Sequence, residues 1–193
     1  ATVTGVTGGN YESVQTGASA TANVADTDNT TTISIEAVDA SEADGGTVTF
    51  KVQASNAPQG EATVQVKVGA NTYDVALDST GAGTLTLSHG NAEDVYKDGS
   101  SVKAEITGVT GGNYEAVDFA GATATAKVED TRDATFFTIE AVGGEEGDGT
   151  VSFNVQASNA PQGEATVQVK VGANTYDVAL DATGAGTLTL SHG

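Results

Sequence analysis

Apolar and polar residues alternate along most of this chain, in short segments separated by Gly, Asn, Asp or Pro. In residues 47–54, for example, Val48, Phe50, Val52 and Ala54 alternate with Thr, Lys and Gln. A period of two places successive side chains on opposite faces of a β-strand, so each segment predicts a strand with one buried face. The turn residues between the segments favour hairpins over helices. We therefore predict an all-β protein.

Seven alternating segments follow one another between Thr30 and Glu129. Seven antiparallel strands in about 100 residues are typical of an Ig-like β-sandwich, in which the apolar faces of two sheets form one core. The residues predicted to be buried in this core are Val48, Phe50, Val64, Val66, Tyr73, Val75, Leu85, Ile106 and Val128.

The sequence contains a long internal duplication. Residues 52–78 recur without change at 155–181, and residues 1–12 differ from residues 104–115 at two positions. A period of about 100 residues fits one whole Ig-sized domain and is too long for a solenoid unit. The duplication predicts tandem sandwiches: residues 1–26 form the last two strands of one repeat, 27–130 a complete repeat, and 131–193 the first five strands of the next.

The two partial repeats are complementary. Neither can bury its apolar face alone, because a two-stranded ribbon is marginal in water and a five-stranded remnant has open edges. We therefore expect residues 1–26 to complete residues 131–193 of a neighbouring molecule, giving end-to-end self-association. The other expected partners are neighbouring repeats of the same chain.

The amino-acid composition argues against several classes of function. Asp and Glu number 26 against 7 Lys and Arg, for a net charge of −19. This charge argues against nucleic acid and against anionic lipid, both of which need basic partners. Cys, Met and Trp are absent, which excludes disulfides and Cys-ligated metals. No apolar run approaches the length of about 18 residues that a membrane helix needs, so no membrane insertion is predicted within this chain.

Carboxylates are concentrated where the chain is predicted to leave the complete repeat, an end that we call the exit pole. A D-T-x-[D/N] tetrapeptide lies at each joint, at residues 26–29 and 130–133. Crowded carboxylates repel one another, whereas Ca²⁺ takes six to eight oxygen ligands from such loops. The pattern predicts calcium at the joints, and the alternative is an ordinary solvated acidic surface. The predicted metal ligands are Asp26, Asp28, Asp44, Glu93, Asp94, Asp98, Asp130 and Asp133.

Other candidate chemistry is weak. Arg132 stands where the first joint has Asp28, so this position is not a ligand shared by both joints. The segment from Asp94 to Glu105 fits an EF-hand loop except at Tyr96, but Glu105 falls within a predicted strand, which argues against an EF-hand. The two histidines, His89 and His192, lie at strand ends as capping or surface residues, and nothing suggests the oriented base of a catalytic triad. The protein is predicted not to be an enzyme.

The joint tetrapeptide, the acidic Gly-rich turn, and the motifs D-V-Y-x-D-G-S-S-V and T-G-G-N-Y-E resemble the tandem Ig-like extender repeats of giant type I-secreted RTX adhesins. These are biofilm-forming and ice-binding adhesins of Gram-negative bacteria. The resemblance covers the whole chain. It implies an extracellular stalk on the bacterial cell surface, with linkers rigidified by calcium, which holds a ligand-binding tip away from the cell.

Two functions are compatible with these features. In the first the repeats are spacers that transmit distance and force. In the second each repeat is itself an adhesive module that binds glycan or protein through its loops, since repetition also suits multivalent binding. The near-identity of the copies favours the spacer, and the absence of Trp disfavours a platform for stacking sugars.

Overall fold

The computed structural model describes residues 1–43 and 45–191. Strands make up most of the regular secondary structure, and the prediction of an all-β sandwich is confirmed. Among the described residues, no helix has the length and apolar character needed to cross a membrane. The strands of the complete repeat are β1 Thr30–Val38, β2 Ala40–Ser41, β3 Thr47–Ala54, β4 Ala62–Val68, β5 Asn71–Leu77, β6 Ala82–Ser88, β7 Ser100–Gly111, β8 Ala116–Asp118 and β9 Thr123–Glu129.

These strands form two sheets, with the orders β6-β3-β1-β8 and β2-β9-β7-β4-β5. One continuous core contains apolar side chains from both sheets, and Phe50 at its centre has 0% of its surface exposed. Seven of the nine residues predicted to be buried are buried. The prediction is wrong for Tyr73 and Leu85, which are half-buried. Both lie on strands at sheet edges, β5 and β6, where one flank of the strand has no neighbour among the described strands.

Two short strands that the sequence pattern did not predict make the sandwich mixed instead of wholly antiparallel. β8 pairs in parallel with the start of β1, and β2 pairs in parallel with the end of β9. With three and two residues, these strands are too short to show an alternating pattern. The pairings of the seven longer strands with one another are antiparallel, as predicted.

The Gly-Gly-Asn turn after β7 is fixed by close backbone contact. Gly111 has a φ of 75°, and a Cβ atom there would lie 2.2 Å from the carbonyl oxygen of Glu61. The N–H of Gly112 donates to the same oxygen at 2.7 Å. Only glycine at position 111 permits both the left-handed conformation and this approach. The turn therefore holds the end of β7 against the loop before β4.

Residues 131–191 contain five strands that pair as their counterparts do in the complete repeat. β10, β11 and β14 form one sheet, and β12 and β13 form another. A 3₁₀ turn at Glu146–Asp148 replaces the acidic turn of the first copy. The new strands are β10 Phe137–Val142, β11 Thr150–Ala157, β12 Ala165–Val171, β13 Asn174–Leu180 and β14 Ala185–Ser191.

Residues 1–26 were expected to form two strands, and they form an antiparallel pairing that is shorter than expected. One isolated bridge joins Thr2 and Ser19, and backbone hydrogen bonds of Ala1 and Val3 flank it. Every residue from 1 to 30 is exposed. This segment is therefore not part of any core formed by the described residues.

Candidate metal centre

The short strand β2 brings two carboxylates together at the exit pole. It lies beside the end of β9, with Ala40 opposite Val128 and Ser41 opposite Glu129. Glu42 directly follows β2, and its N–H donates to the carbonyl of Glu129 at 3.2 Å. Asp130 directly follows β9. Because the two strands run in parallel, they end side by side at the exit pole. Glu42 and Asp130, which directly follow them, therefore lie close together.

The loop between β6 and β7 supplies a third carboxylate, that of Asp98. The side-chain amide of Asn91 ties this loop to the site, since it donates to Glu42 Oε1 at 3.0 Å and to the Asp98 carbonyl at 3.3 Å. Gly99 lies against the end of β9, where a Cβ atom would be 3.3 Å from the Val128 carbonyl. Glu42, Asp98 and Asp130 each place a carboxylate oxygen within 4.8 Å of the other two.

The site has unsatisfied negative charge. Glu42 is only 4% exposed, and among the described residues neither its Oε2 nor Asp130 Oδ1 has a hydrogen-bond partner. Burial raises the pKa of Glu42, the adjacent Asp98 and Asp130 raise it further, and only the backbone of Thr131 lowers it. Buried carboxylate oxygens without partners are costly, because they lose their hydration and gain nothing in return. A cation between them would supply the missing interaction.

The donor set fits a hard cation. All three groups are carboxylates, and the loops around them offer backbone carbonyls such as that of Asp98. Ca²⁺ and Mg²⁺ prefer oxygen ligands, whereas Zn²⁺ and Cu²⁺ favour the nitrogen and sulfur ligands that this group lacks. Ca²⁺ accepts irregular coordination by loop oxygens more readily than Mg²⁺, which demands near-octahedral geometry. The three carboxylates could therefore hold a hard cation.

Of the predicted ligands, Asp98 and Asp130 belong to this group, and Asp44 lies outside the described residues. The remaining predicted ligands lie outside the group among the residues that the structure describes: Asp26, Asp28, Glu93, Asp94 and Asp133. Asp94 accepts a hydrogen bond from the Tyr96 N–H at 2.7 Å. Glu42 was not among the ligands predicted from the sequence. Its burial depends on β2, which the alternating pattern did not reveal.

The other sequence candidates do not form a second centre in the described part of the chain. Glu105 lies within β7 opposite Lys67 of β4, so the loop beginning at Asp94 cannot close as an EF-hand. His89 accepts a hydrogen bond on Nδ1 from the Asn91 N–H at 3.1 Å, and its buried Nε2 has no partner in the part of the chain that the structure describes. His192 lies outside the described residues.

The loop that carries Asp98 also contacts the following unit. The hydroxyl of Tyr96 donates a hydrogen bond to the carbonyl of Ala160, in the loop after β11. Tyr96 is two residues from Asp98 and is half-buried. One short loop therefore provides both a carboxylate of the candidate metal centre and a contact across the joint.

A polar groove of about 450 Å³ lies at the opposite pole of the complete repeat. The groove is lined by the start of β1 and by residues of two neighbouring loops, among them Asn56, Gln59, Asn113 and Tyr114. The Tyr114 hydroxyl donates to the Asn56 carbonyl at 3.3 Å, and burial raises the pKa of this phenol. The groove is open and polar, unlike the mostly apolar pockets that enclose small ligands.

Residues 29–131 match the family model of the LapA domain. This match spans more than half of the 193 residues, so the chain belongs to the LapA domain family. The match begins just before β1 and ends just after Asp130, and thus includes the whole candidate metal centre. A comparison with curated proteins gave no match.

Two solved structures show distant similarity. A two-domain protein of unknown function from Bacteroides fragilis is 8% identical with a TM-score of 0.35, over 72% of this chain and 68% of that one. A structure concerned with host cell surface retention of a 1.5-MDa bacterial ice-binding adhesin is 19% identical with a TM-score of 0.31, over 86% of this chain and 55% of that one. The present chain thus spans about half of the adhesin structure. At these TM-scores neither similarity carries a functional argument.

Proposed function

We propose that this LapA-domain chain is an extender segment of a bacterial cell-surface adhesin, rigidified by calcium, that spaces a ligand-binding tip from the cell. The observation that carries the proposal is the group of Glu42, Asp98 and Asp130 at a joint between repeats. Its buried oxygens without partners favour a bound cation, and the duplicated sequence favours a repetitive spacer. The protein acts as a structural element and not as an enzyme.

Rigidity would arise because the metal centre and the contact to the next unit share one loop. A cation that binds Asp98 together with Glu42 and Asp130 fixes residues 91–99 against the end of β9. The fixed loop then presents the Tyr96 hydroxyl to the following unit. Without the cation, repulsion among the carboxylates opposes this arrangement. Calcium binding therefore favours one orientation of neighbouring repeats over many.

Three of the other predicted ligands have secondary places in this proposal. Asp133 follows Asp130 in the joint. At the preceding joint Asp26 holds the position that corresponds to Asp130, and Asp28 lies two residues further on. The partners are neighbouring repeats of the same chain. We place the parent protein outside the cell, on the bacterial surface, after type I secretion. A calcium concentration in the millimolar range, typical outside cells, suits such modules, whose Kd values are roughly 10⁻⁴–10⁻³ M.

Calcium titration calorimetry on the whole chain tests the metal centre. We expect binding with a Kd of roughly 10⁻⁴–10⁻³ M. The double variant Glu42→Gln/Asp98→Asn should lose it, because it removes two of the three charges while keeping similar side-chain volumes. The matched control is Glu93→Gln, which changes an exposed carboxylate outside the group in the same loop. No heat of binding in the wild type, or equal losses in both variants, would refute the assignment.

The groove at the opposite pole supports a second candidate function, an adhesive module that binds glycan or protein through its loops. Its amide and hydroxyl groups are of the kind that bind sugars, and repetition would multiply weak binding. A glycan array probed with the whole chain tests this function. Binding that is lost in Asn113→Ala would favour the module, whereas an array without signal favours the spacer.

A further inference from the structure

The strands by which the chain enters and leaves the complete repeat are bonded to each other at both poles. At the end opposite the exit pole, which we call the entry pole, the start of β1 pairs with β8. At the exit pole β2 pairs with the end of β9. Only Asp39 separates β1 from β2, and residues 119–122 separate β8 from β9. The first and last strands of the repeat are therefore connected directly, without the strands between them.

Both of these pairings are parallel. Tension along the chain pulls the start of β1 away from the entry pole and the end of β9 away from the exit pole. In each pairing the two strands are thus pulled past each other along their own axes. Because the hydrogen bonds run from strand to strand, all the bonds of a pairing resist this sliding together. An antiparallel pair that is pulled apart at its open end instead loses its bonds one at a time.

The exit-pole pairing is extended by bonds on either side of β2. Before β2, the Asp39 carboxylate accepts a hydrogen bond from the Lys127 N–H at 2.8 Å. After β2, the Glu42 N–H donates to the Glu129 carbonyl at 3.2 Å. Although β2 has only two residues, four successive residues, 39–42, are thus linked to the end of β9.

The candidate metal centre lies at the end of this pairing. Glu42 directly follows β2, Asp130 directly follows β9, and their carboxylate oxygens lie within 4.8 Å of each other. Glu42 is buried, and its Oε2 has no hydrogen-bond partner among the described residues. A cation held by both carboxylates ties β2 to β9, so β9 can slide past β2 only if this link breaks.

The entry-pole pairing has a different kind of reinforcement. Its side-chain link is the hydrogen bond that the Asn29 N–H donates to the Glu115 carboxylate. The group of acidic residues that could hold a metal ion in the described part of the chain lies at the exit pole and not here. Only the exit-pole half should therefore respond to a cation.

We propose that β1–β2 and β8–β9 form a mechanical clamp that bears tension along the chain, and that a cation at Glu42, Asp98 and Asp130 locks the exit-pole half. The clamp follows from the strand pairings alone, whereas the lock rests on the proposed function of the metal centre. The further function is resistance to force. It adds to the spacing and stiffness proposed above, because a stiff stalk can still unfold when it is pulled.

Single-molecule force spectroscopy on the whole chain in EDTA tests the clamp. The sequence has no cysteine, so a pair of cysteines gives two unique attachment points. Thr27→Cys/Arg132→Cys uses exposed residues on either side of the complete repeat and loads both parallel pairings in shear. Thr27→Cys/Ala57→Cys opens the antiparallel pair of β1 and β3 from its end. We expect a higher rupture force for the first variant, and equal forces or the reverse order would overturn the clamp.

Millimolar calcium tests the lock. Calcium should raise the rupture force of Thr27→Cys/Arg132→Cys and leave that of Thr27→Cys/Ala57→Cys unchanged, since forced unfolding reports the barrier that the load must cross. Addition of Glu42→Gln/Asp98→Asn to the first variant should abolish the increase without lowering the force in EDTA. Calorimetry separates the two ways to fail. Calcium that binds without raising the rupture force overturns the lock alone, whereas no binding overturns the metal centre and the lock together.

The bond between Asp39 and Lys127 provides a test of where the load passes. Asp39→Ala, in the chain with attachment points at residues 27 and 132, should lower the rupture force in EDTA and retain the increase with calcium. The matched control is Glu36→Ala, which removes another exposed carboxylate from the same stretch of chain and should leave the force unchanged. Equal forces in these two variants would contradict a load path through β2 and β9.

Discussion

The free energy of unfolding that is lost when Phe50 is truncated measures how much the second sheet contributes to the stability of the sandwich. Phe50 is fully buried, with Ala37 and Leu85 beside it on neighbouring strands of its own sheet. Truncation of a buried Phe to Ala typically costs about 3–5 kcal/mol through lost burial and the cavity left behind. We therefore expect Phe50→Ala to lower the free energy of unfolding of the complete repeat by about 3–5 kcal/mol.

The duplication provides a matched control for this variant, Phe153→Ala. Phe153 also lies between an Ala and a Leu on its own sheet, but it is half-buried, because no counterpart of β7 or β9 lies opposite it among the described residues. Its truncation should cost only about 1–2 kcal/mol. Native-state amide hydrogen exchange in EDTA, at concentrations where the chain is monomeric, reports the two units separately. Equal costs in the two units, or a cost below about 1 kcal/mol for Phe50→Ala, would refute the account of the core.

Three further predictions concern the turn, the joint and acid stability. Gly111→Ala should destabilise the protein by more than about 2 kcal/mol, because it adds a backbone clash to the cost of a left-handed alanine, whereas Gly121→Ala, at a φ of 71° with open space around the added Cβ, should cost about 1 kcal/mol in a chemical denaturation. Tyr96→Phe should leave the melting temperature unchanged but broaden the distribution of inter-unit distances measured by spin labels, and an unchanged distribution would contradict its role. Hydrogen bonds from a threonine hydroxyl and from backbone N–H groups lower the pKa of Asp78, so its stabilising contribution is present at neutral pH and is lost as the pH falls through the lowered value. Asp78→Asn should therefore reduce the acid dependence of stability, as should Asp181→Asn in the second unit, and acid titrations identical to that of the wild type would count against this.

Much of the fold could be predicted from sequence because alternation reports burial directly. Residues 47–54 alternate throughout, and every predicted core residue on this strand is buried. The pattern cannot show which strands lie at sheet edges, and for this reason Tyr73 and Leu85 were assigned to the core. It also cannot show parallel pairings of two or three residues, such as that of Ala40 and Ser41 with the end of β9.

The candidate metal centre was predictable only in part for the same reason. Asp130 stands in a tetrapeptide that recurs at both joints, and Asp98 lies in an acidic loop predicted at the exit pole. Glu42 resembles any other acid of a Gly-rich turn until β2 places it beside β9. Its burial and its oxygen without a partner are consequences of tertiary packing. The sequence indicates that several acidic loops lie near one another at the exit pole, but it does not indicate which of their carboxylates is buried.

Small-angle X-ray scattering with and without calcium tests the central claim, that a cation at Glu42, Asp98 and Asp130 stiffens the joint. The measurement uses a concentration at which light scattering gives a mass of 19.1 kDa, so that self-association does not contribute. We predict that millimolar calcium gives a longer and more narrowly distributed particle than EDTA, and that Glu42→Gln/Asp98→Asn shows no such change. Superimposable wild-type profiles in calcium and in EDTA would contradict the account.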